Sequence, residues 1–433
     1  MAEYSETKDS GIEWIGRVPV NWKIERGKNI LTLLNRPVDE DDEIITCFRD
    51  GEVTLRKNRR VLGFTNSLKE IGYQGINVGD LVVHGMDGFA GAIGISDSKG
   101  KATPVLNVLE STQNKRYLMY YLRSLAFRDV FMSLSTGIRV RSCDLRWNKL
   151  ATLPFILPSD EEQAAIVTYL DEQCEKIDAV LNETKNSMEE YKNWKYSIIS
   201  ETISKGLVSA VGTQTTGLSS FTHCPATWKI MRIKDISCIL RGGSPRPIDA
   251  FLTDSSEGYN WIKIGDTVKG RKIITSTKQK IRPEGLSKTR LVHKGDLLLT
   301  NSMSFGQPYI LGIDGCIHDG WVCLSNIKCV SREFLYYFLC SELCMMQFHL
   351  QVTGGVVQNL NVEKIGNTKI FVPSVSEQNE IVAYLEQRCQ SIEALIDEKE
   401  SIITDLNNYK KSLIYETVTG KRKVVKTWPT AKT

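Results

Sequence analysis

The sequence predicts an α+β chain in which two mixed α/β domains are joined by two long antiparallel coiled-coil helices, with an internal pseudo-two-fold duplication. Three observations predict it. Residues 158–202 recur at 373–417 with a constant offset of 215 and no gap, PSDEEQAAIVTYLDEQCEKIDAVL against PSVSEQNEIVAYLEQRCQSIEALI. Each copy carries a heptad-like apolar seam with no Gly or Pro until Gly206 and Gly420. The segments upstream of the two copies also share landmarks in the same order. A period near 215 residues is too long for a solenoid, so one domain-plus-helix unit is present twice.

The elements follow in order. The first domain spans 1–157 and opens with VPVNWKIERGK at 18–28, matched by CPATWKIMRIK at 224–234. GDLVV at 79–83 reads as a strand and matches GDLLL at 295–299; RYLMYYLRS at 116–124 reads as a helix and matches EFLYYFLCS at 333–341. Thr136-Gly137 matches Thr353-Gly354. ITCFRDGEVTLRKNRR at 45–60 has no counterpart, so the domains share a frame and differ in content.

The first long helix spans 158–206. Pro158 and Ser159 precede acidic residues, as a helix start prefers. Its seam is Ile166, Leu170, Ile177, Leu181, Met188, Tyr191 and Ile198. A Gly/Ser/Thr-rich stretch at 207–223 reads as a flexible linker. The second domain spans 224–372 and the second long helix 373–420, with its seam at Ile381, Leu385, Ile392, Ile396, Ile403, Leu406 and Leu413. A basic tail follows at 421–433. A rod with one apolar stripe needs a partner, and the other rod of the same chain is the cheapest one.

Composition narrows the class. A hydrophobic fraction of 41% and a charged fraction of 24% are ordinary for a globular protein. No apolar run approaches a membrane span, and MAEYSETKDSG has neither the basic nor the apolar region of a signal peptide, so the expected location is cytoplasmic, without membrane association. The cysteines, among them Cys174, Cys238 and Cys389, read as reduced thiols. Cys316, His318, Cys323 and Cys329 lie close in sequence but form no CxxC pair, so no zinc site is expected. Residues 159–205 hold 11 acidic against 5 basic residues, and 374–420 hold 9 against 4. With a chain total of +4, everything outside the helices carries +15. Basic domains suit a polyanion, and acidic rods suit protein partners or solvent.

Catalytic motifs are missing: no GxxxxGK[ST], no strand-associated GxGxxG, no Asn/Asp-Pro-Pro-aromatic tetrapeptide, no HExxH and no paired carboxylates with metal-nuclease spacing. The chain reads as a recognition and assembly protein rather than an enzyme.

These residues together resemble the specificity subunit of type I restriction-modification enzymes. The resemblance rests on SGIEWIGRVPVNWKIERGK at 10–28, on RGGSPRP at 241–247 followed by WIKIGDTVKG at 261–270, and on the TG turn, aliphatic-Pro-Ser step and EQxxIVxYL helix, the last three present twice. It implies that the two domains are target-recognition domains for the halves of a split double-stranded DNA sequence. It implies that the helices set the gap between halves and dock two methyltransferase subunits, and that two restriction (motor-nuclease) subunits complete the complex. The chain itself would hold no cofactor; S-adenosylmethionine, ATP and Mg would belong to the partner subunits.

DNA contacts are expected in loops dense in Arg, Lys, Asn, Ser and Gly, because Arg and Lys pair with guanine and Asn or Gln with adenine while most basic residues hold phosphate. In the first domain the candidates are Arg56, Lys57, Arg59, Arg60, His84, Asp87, Lys101, Ser135, Arg139 and Arg141. In the second they are Arg241, Ser244, Arg246, Lys269, Arg271, Lys272, Asn301, Ser302, His318, Gln358 and Asn359. His84 and His318 could equally be structural. Two other readings compete: a non-catalytic coiled-coil scaffold without DNA specificity, and a single-chain DNA methyltransferase or nuclease with an unrecognised site. The charge of the domains and the missing motifs favour the first reading.

Overall fold

The computed structural model describes residues 4–39, 41–59, 70–133, 145–208, 212–268, 270–301, 305–352 and 360–424. It forms two compact units, residues 1–183 with 402–433, and residues 184–401. Each unit therefore holds one domain and parts of both long helices.

In the first unit a four-stranded antiparallel sheet runs in the order Leu31–Leu34, Leu106–Ser111, Leu81–His84, Ile93–Ile95. The helix Lys115–Phe127 packs on it. Asn114 starts that helix by accepting the N–H groups of Arg116 and Tyr117 at 3.0 and 3.2 Å, as a side-chain cap does. Leu118, Tyr121, Leu122 and Leu125, at helical spacing, form its buried face. Lys23–Arg26 pairs with Pro154–Leu157, and Thr7–Asp9 with Arg17–Pro19.

The second unit repeats this frame. Its sheet runs Cys238–Arg241, Trp321–Ser325, Leu297–Thr300, Pro308–Leu311, with Ile273–Ile274 added in parallel at the edge. Arg332–Cys340 is the corresponding helix, capped by Ser331. Lys229–Arg232 pairs with Lys369–Val372, and Thr213–Thr215 with His223–Pro225. That last pair corrects the reading of 207–223 as a featureless linker, since part of it is the second copy of the opening ribbon. A three-residue strand, Thr-Gln-Thr, is held by its partner and carries no pattern of its own.

The units differ beside the shared sheet. The first has two short ribbons, Ile45–Cys47 with Val53–Leu55 and Gln74–Ile76 with Gly100–Ala102. The second has a further five-stranded sheet in the order Leu252–Thr253, Lys280–Ile281, Tyr259–Ile262, Gly315–Ile317, Arg290–Val292.

The long helices are Asp160–Lys205 and Val375–Val418, of 46 and 44 residues. At ~1.5 Å per residue each is roughly 65–70 Å long. Their starts are built alike. Ser159 and Ser374 accept the N–H of Glu162 and Glu377, both at 3.3 Å. Each of those glutamates accepts an indole N–H from its own domain, Trp22 to Glu162 at 3.1 Å and Trp228 to Glu377 at 2.9 Å. The next residue, Gln163 or Gln378, is buried and accepts the backbone N–H of Asn114 or Ser331 at 3.0 or 2.8 Å.

The helices run antiparallel. In the first unit Leu413, Ile414 and Val418 near the end of one share a core with Ile166 and Leu170 near the start of the other. In the second unit Ile199 and Ile203 share a core with Ile381 and Leu385. Asp178 pairs with Lys410 at 2.7 Å, and Lys195 pairs with Glu393. Those pairs are copies of each other, because Lys195 and Lys410, like Asp178 and Glu393, lie 215 residues apart. Every seam residue named from the sequence is buried or half-buried. Burial is complete at Ile166, Leu170, Ile177, Leu181, Ile381, Leu385, Ile392 and Leu413 and partial at Met188, Tyr191, Ile198, Ile396, Ile403 and Leu406, where only a narrow stripe is covered. Among the described residues no helix is long and apolar enough to cross a membrane.

Candidate nucleic-acid interface

In the first domain the hairpin Ile45–Cys47/Val53–Leu55 carries a tight turn at 48–51. Gly51 has φ +93°, and a Cβ there would lie 1.9 Å from Arg123 Nη1, so the turn requires glycine. Arg123 supports the turn by donating to Asp50 O at 2.5 Å. The turn brings Arg49 beside the loop that follows strand Leu81–His84. There His84 Nδ1 accepts the N–H of Met86 at 3.2 Å and of Asp87 at 3.0 Å, folding the loop over the imidazole. Asp87 accepts from Arg49 Nη2 at 2.9 Å.

Arg59 pairs with Asp50 at 2.7 Å and Glu52 at 3.2 Å, and its guanidinium lies 4.2 Å from the centre of the Phe48 ring. Arg56 donates to Thr46 Oγ1 at 3.2 Å. Phe48, Arg49, Asp50, Arg56, Arg59, His84 and Asp87 line one open cleft of about 740 Å³. Burial pushes the His84 pKa down, opposed by Asp87 and reinforced by Arg49, a direction that agrees with Nδ1 serving as an acceptor. Of the expected residues, Arg56, Arg59, His84 and Asp87 come together here.

In the second domain the strand Cys238–Arg241 leads into the RGGSPR loop. A Cβ on Gly242 would lie 2.1 Å from His318 O, so the two loops pass at this glycine backbone to backbone. They meet at Asp319. Its carboxylate accepts from Ser244 Oγ at 2.7 Å and lies 3.8 Å from Arg246. Its carbonyl accepts from Asn301 Nδ2 at 3.0 Å and Arg241 Nε at 3.4 Å. His318 Nδ1 accepts the N–H of Gly320 at 2.8 Å, holding the turn. Burial pushes the His318 pKa down. The Ser244 hydrogen bond holds Asp319 below the usual carboxylate range. Arg241, Ser244, Arg246, Asn301 and His318 are thus gathered by Asp319.

Both clusters lie at the same end of the shared sheet. Leu145 donates to Gly85 O at 2.8 Å and Leu360 to Asn301 O at 3.0 Å, each just beyond a central strand. Arg60, Ser135, Arg139, Arg141, Lys269, Ser302, Gln358 and Asn359 lie outside the described residues.

Other candidates are engaged within the protein. Lys101 is buried and its ammonium lies 2.9 Å from Glu70. Lys57 pairs with Glu43. Arg271 donates to both oxygens of Asp397 at 3.0 and 2.8 Å, and Lys272 pairs with Glu386 and faces the Tyr336 and Tyr337 rings at 5.0 and 5.1 Å. The basic pair at 271–272 therefore ties the domain to the second long helix, a place for anchoring rather than reading. Arg49 is the site residue that lies outside the loops expected to contact DNA; its signal is the RDG turn between short apolar runs. Asp319 belongs to the expected loop HDGW at 318–321, next to the candidate His318. Among the described residues no group of His, Cys, Asp and Glu is placed to hold a metal ion.

Comparison with known proteins gives consistent similarities. The family described as the type I restriction modification DNA specificity domain matches residues 225–403, the second domain and the first part of its helix. The chain is 22% identical over 433 residues to the type I restriction enzyme MjaVIII specificity subunit of Methanocaldococcus jannaschii, covering 94% of each protein. A solved chain from work described as "Structural basis underlying complex assembly and conformational transition of the type I R-M system" superposes with a TM-score of 0.69 at 14% identity, over 93% of this chain and 98% of that one. Residues 225–403 thus match a type I restriction modification DNA specificity domain, and the chain as a whole is similar to a type I specificity subunit in sequence and to a type I R-M chain in fold.

Proposed function

We propose that this chain reads a bipartite duplex DNA target, one half with each domain, and scaffolds the subunits that act on it. The observation that carries the proposal is one frame used twice with different content. Strand order, helix clamp and cross-helix ion pair repeat, while the side chains at the reading end of each sheet differ. Equal frames present two surfaces in the same way, and unequal surfaces read unequal half-sites.

The long helices fix the gap between the half-sites and dock two methyltransferase subunits, and two restriction subunits complete the assembly. The chemistry belongs to those partners, with S-adenosylmethionine, ATP and Mg. This chain supplies binding and position and performs no catalysis. The test is methylome sequencing of host DNA with and without the gene. A split adenine-methylated motif that disappears with the gene supports the reading, and an unchanged methylome rejects it.

A further inference from the structure

The two sheet-end clusters share a device that is not inherited from the duplication. In the first domain it sits on the hairpin turn at 48–51 and the loop after Leu81–His84. In the second it sits on the loop after Cys238–Arg241 and the turn before Trp321–Ser325. These positions do not correspond, yet the parts do. A histidine accepts backbone N–H groups at Nδ1 and pins a turn. The turn carries an aspartate, and the aspartate partners an arginine whose side chain is 65% exposed at Arg49 and 84% at Arg246.

We propose that each domain reads a guanine through this arginine, Arg49 held by Asp87 and Arg246 paired with Asp319. The inference rests on the DNA-reading function proposed above and names its contacts.

The chemistry favours a base over a phosphate. A guanidinium offers five N–H donors in a rigid fork, and guanine N7 and O6 accept two of them side by side. In the first domain Asp87 accepts one N–H of the fork, from Arg49 Nη2 at 2.9 Å, and leaves the remaining donors for a ligand; in the second Asp319 lies 3.8 Å from Arg246, an ion pair without a hydrogen bond. Holding the Arg49 fork lowers the ordering cost of binding. A carboxylate this close also cancels most of the positive charge and repels a phosphate, whereas a base edge carries only partial charges. Asp50 and Glu52 beside Arg59 add to that repulsion in the first domain. Asp319 is itself fixed by Ser244 Oγ at 2.7 Å, so its position does not depend on Arg246.

The test uses the full chain assembled with its methyltransferase partner, reading the methylated motif by single-molecule sequencing. Both arginines are exposed, so Arg49→Gln and Arg246→Gln should melt as the wild type does. Arg49→Gln should relax one G·C position of one half-site by about tenfold or more and leave the other half and the gap unchanged. Arg246→Gln should do the same in the opposite half. Arg49→Lys keeps the charge and loses the fork, so it should relax the same position. Asp87→Asn, at the positioning residue, should weaken discrimination there without creating a new motif. An unchanged motif in Arg49→Gln and Arg246→Gln overturns the proposal. So does a uniform loss of affinity across sequences that lysine restores, which is the behaviour of a phosphate contact. If the wild-type complex methylates no split motif, the DNA-reading proposal falls with it.

Discussion

At the scale of single residues, the joints between domain and helix are the strongest repeated feature. Trp22 and Trp228 each donate to a carboxylate one turn into a long helix, at 3.1 and 2.9 Å. A hydrogen bond to a charged group contributes about 1.5–3 kcal/mol, so Trp228→Phe should destabilise the second unit by roughly that amount. Urea unfolding of the full chain followed by a probe in that unit measures it, and an unchanged midpoint contradicts the clamp. The histidines give a pH dependence. Both have folded pKa values lowered by burial, with Asp87 and Arg49 facing His84 and Asp319, Lys263 and Asp266 facing His318. A base with a lowered folded pKa adds stability that is fully present above its free value, about 6.5, and is lost as pH falls through the folded value. Melting temperature should therefore drop below about pH 6.5, and His84→Asn combined with His318→Asn should make that decline shallower. Much of this scale was legible in the sequence: Trp22 and Trp228 stood out as aligned, and His84 and His318 lay in flagged loops. Asp319 shares the His318 loop, but its role as a hub was not legible, because that role lies in partners drawn from separate loops.

At the scale of elements, two apolar seams of matching length predict paired helices, and burial follows the seam residue by residue. The register came only from the structure. As Asp178 gives way to Lys195 along the first helix, its partner moves from Lys410 to Glu393 along the second, 17 residues in each direction. Cysteines at 178 and 410, or at 195 and 393, should join through a short bifunctional crosslinker within one chain. Intermolecular products alone would reject the pairing. Charge reversal at Lys195 should cost about 0.5–1 kcal/mol, and reversing Glu393 as well should restore it. Short strands were the least legible elements. Thr213–Thr215 is fixed by its partner strand, and nothing in a Gly/Ser/Thr-rich stretch announces it. The additional sheet of the second domain is illegible for the same reason, since its strands are two to four residues long.

At the scale of the whole molecule, the account assigns two separable jobs, reading to the domains and spacing to the helices. The register places Asp405 opposite Glu183. Four residues inserted at both positions add about one helical turn, ~6 Å, and keep the seams paired. The same half-sites should then be methylated with a gap longer by about one or two base pairs. An unchanged gap in a folded, active variant would mean the helices only dock partners. The most direct test exchanges residues 235–365 for the matching segment of a related protein and reads the methylated motif. One half of the motif should change while the other half and the gap stay as they were. A motif altered in both halves, or in neither, would contradict that division of jobs.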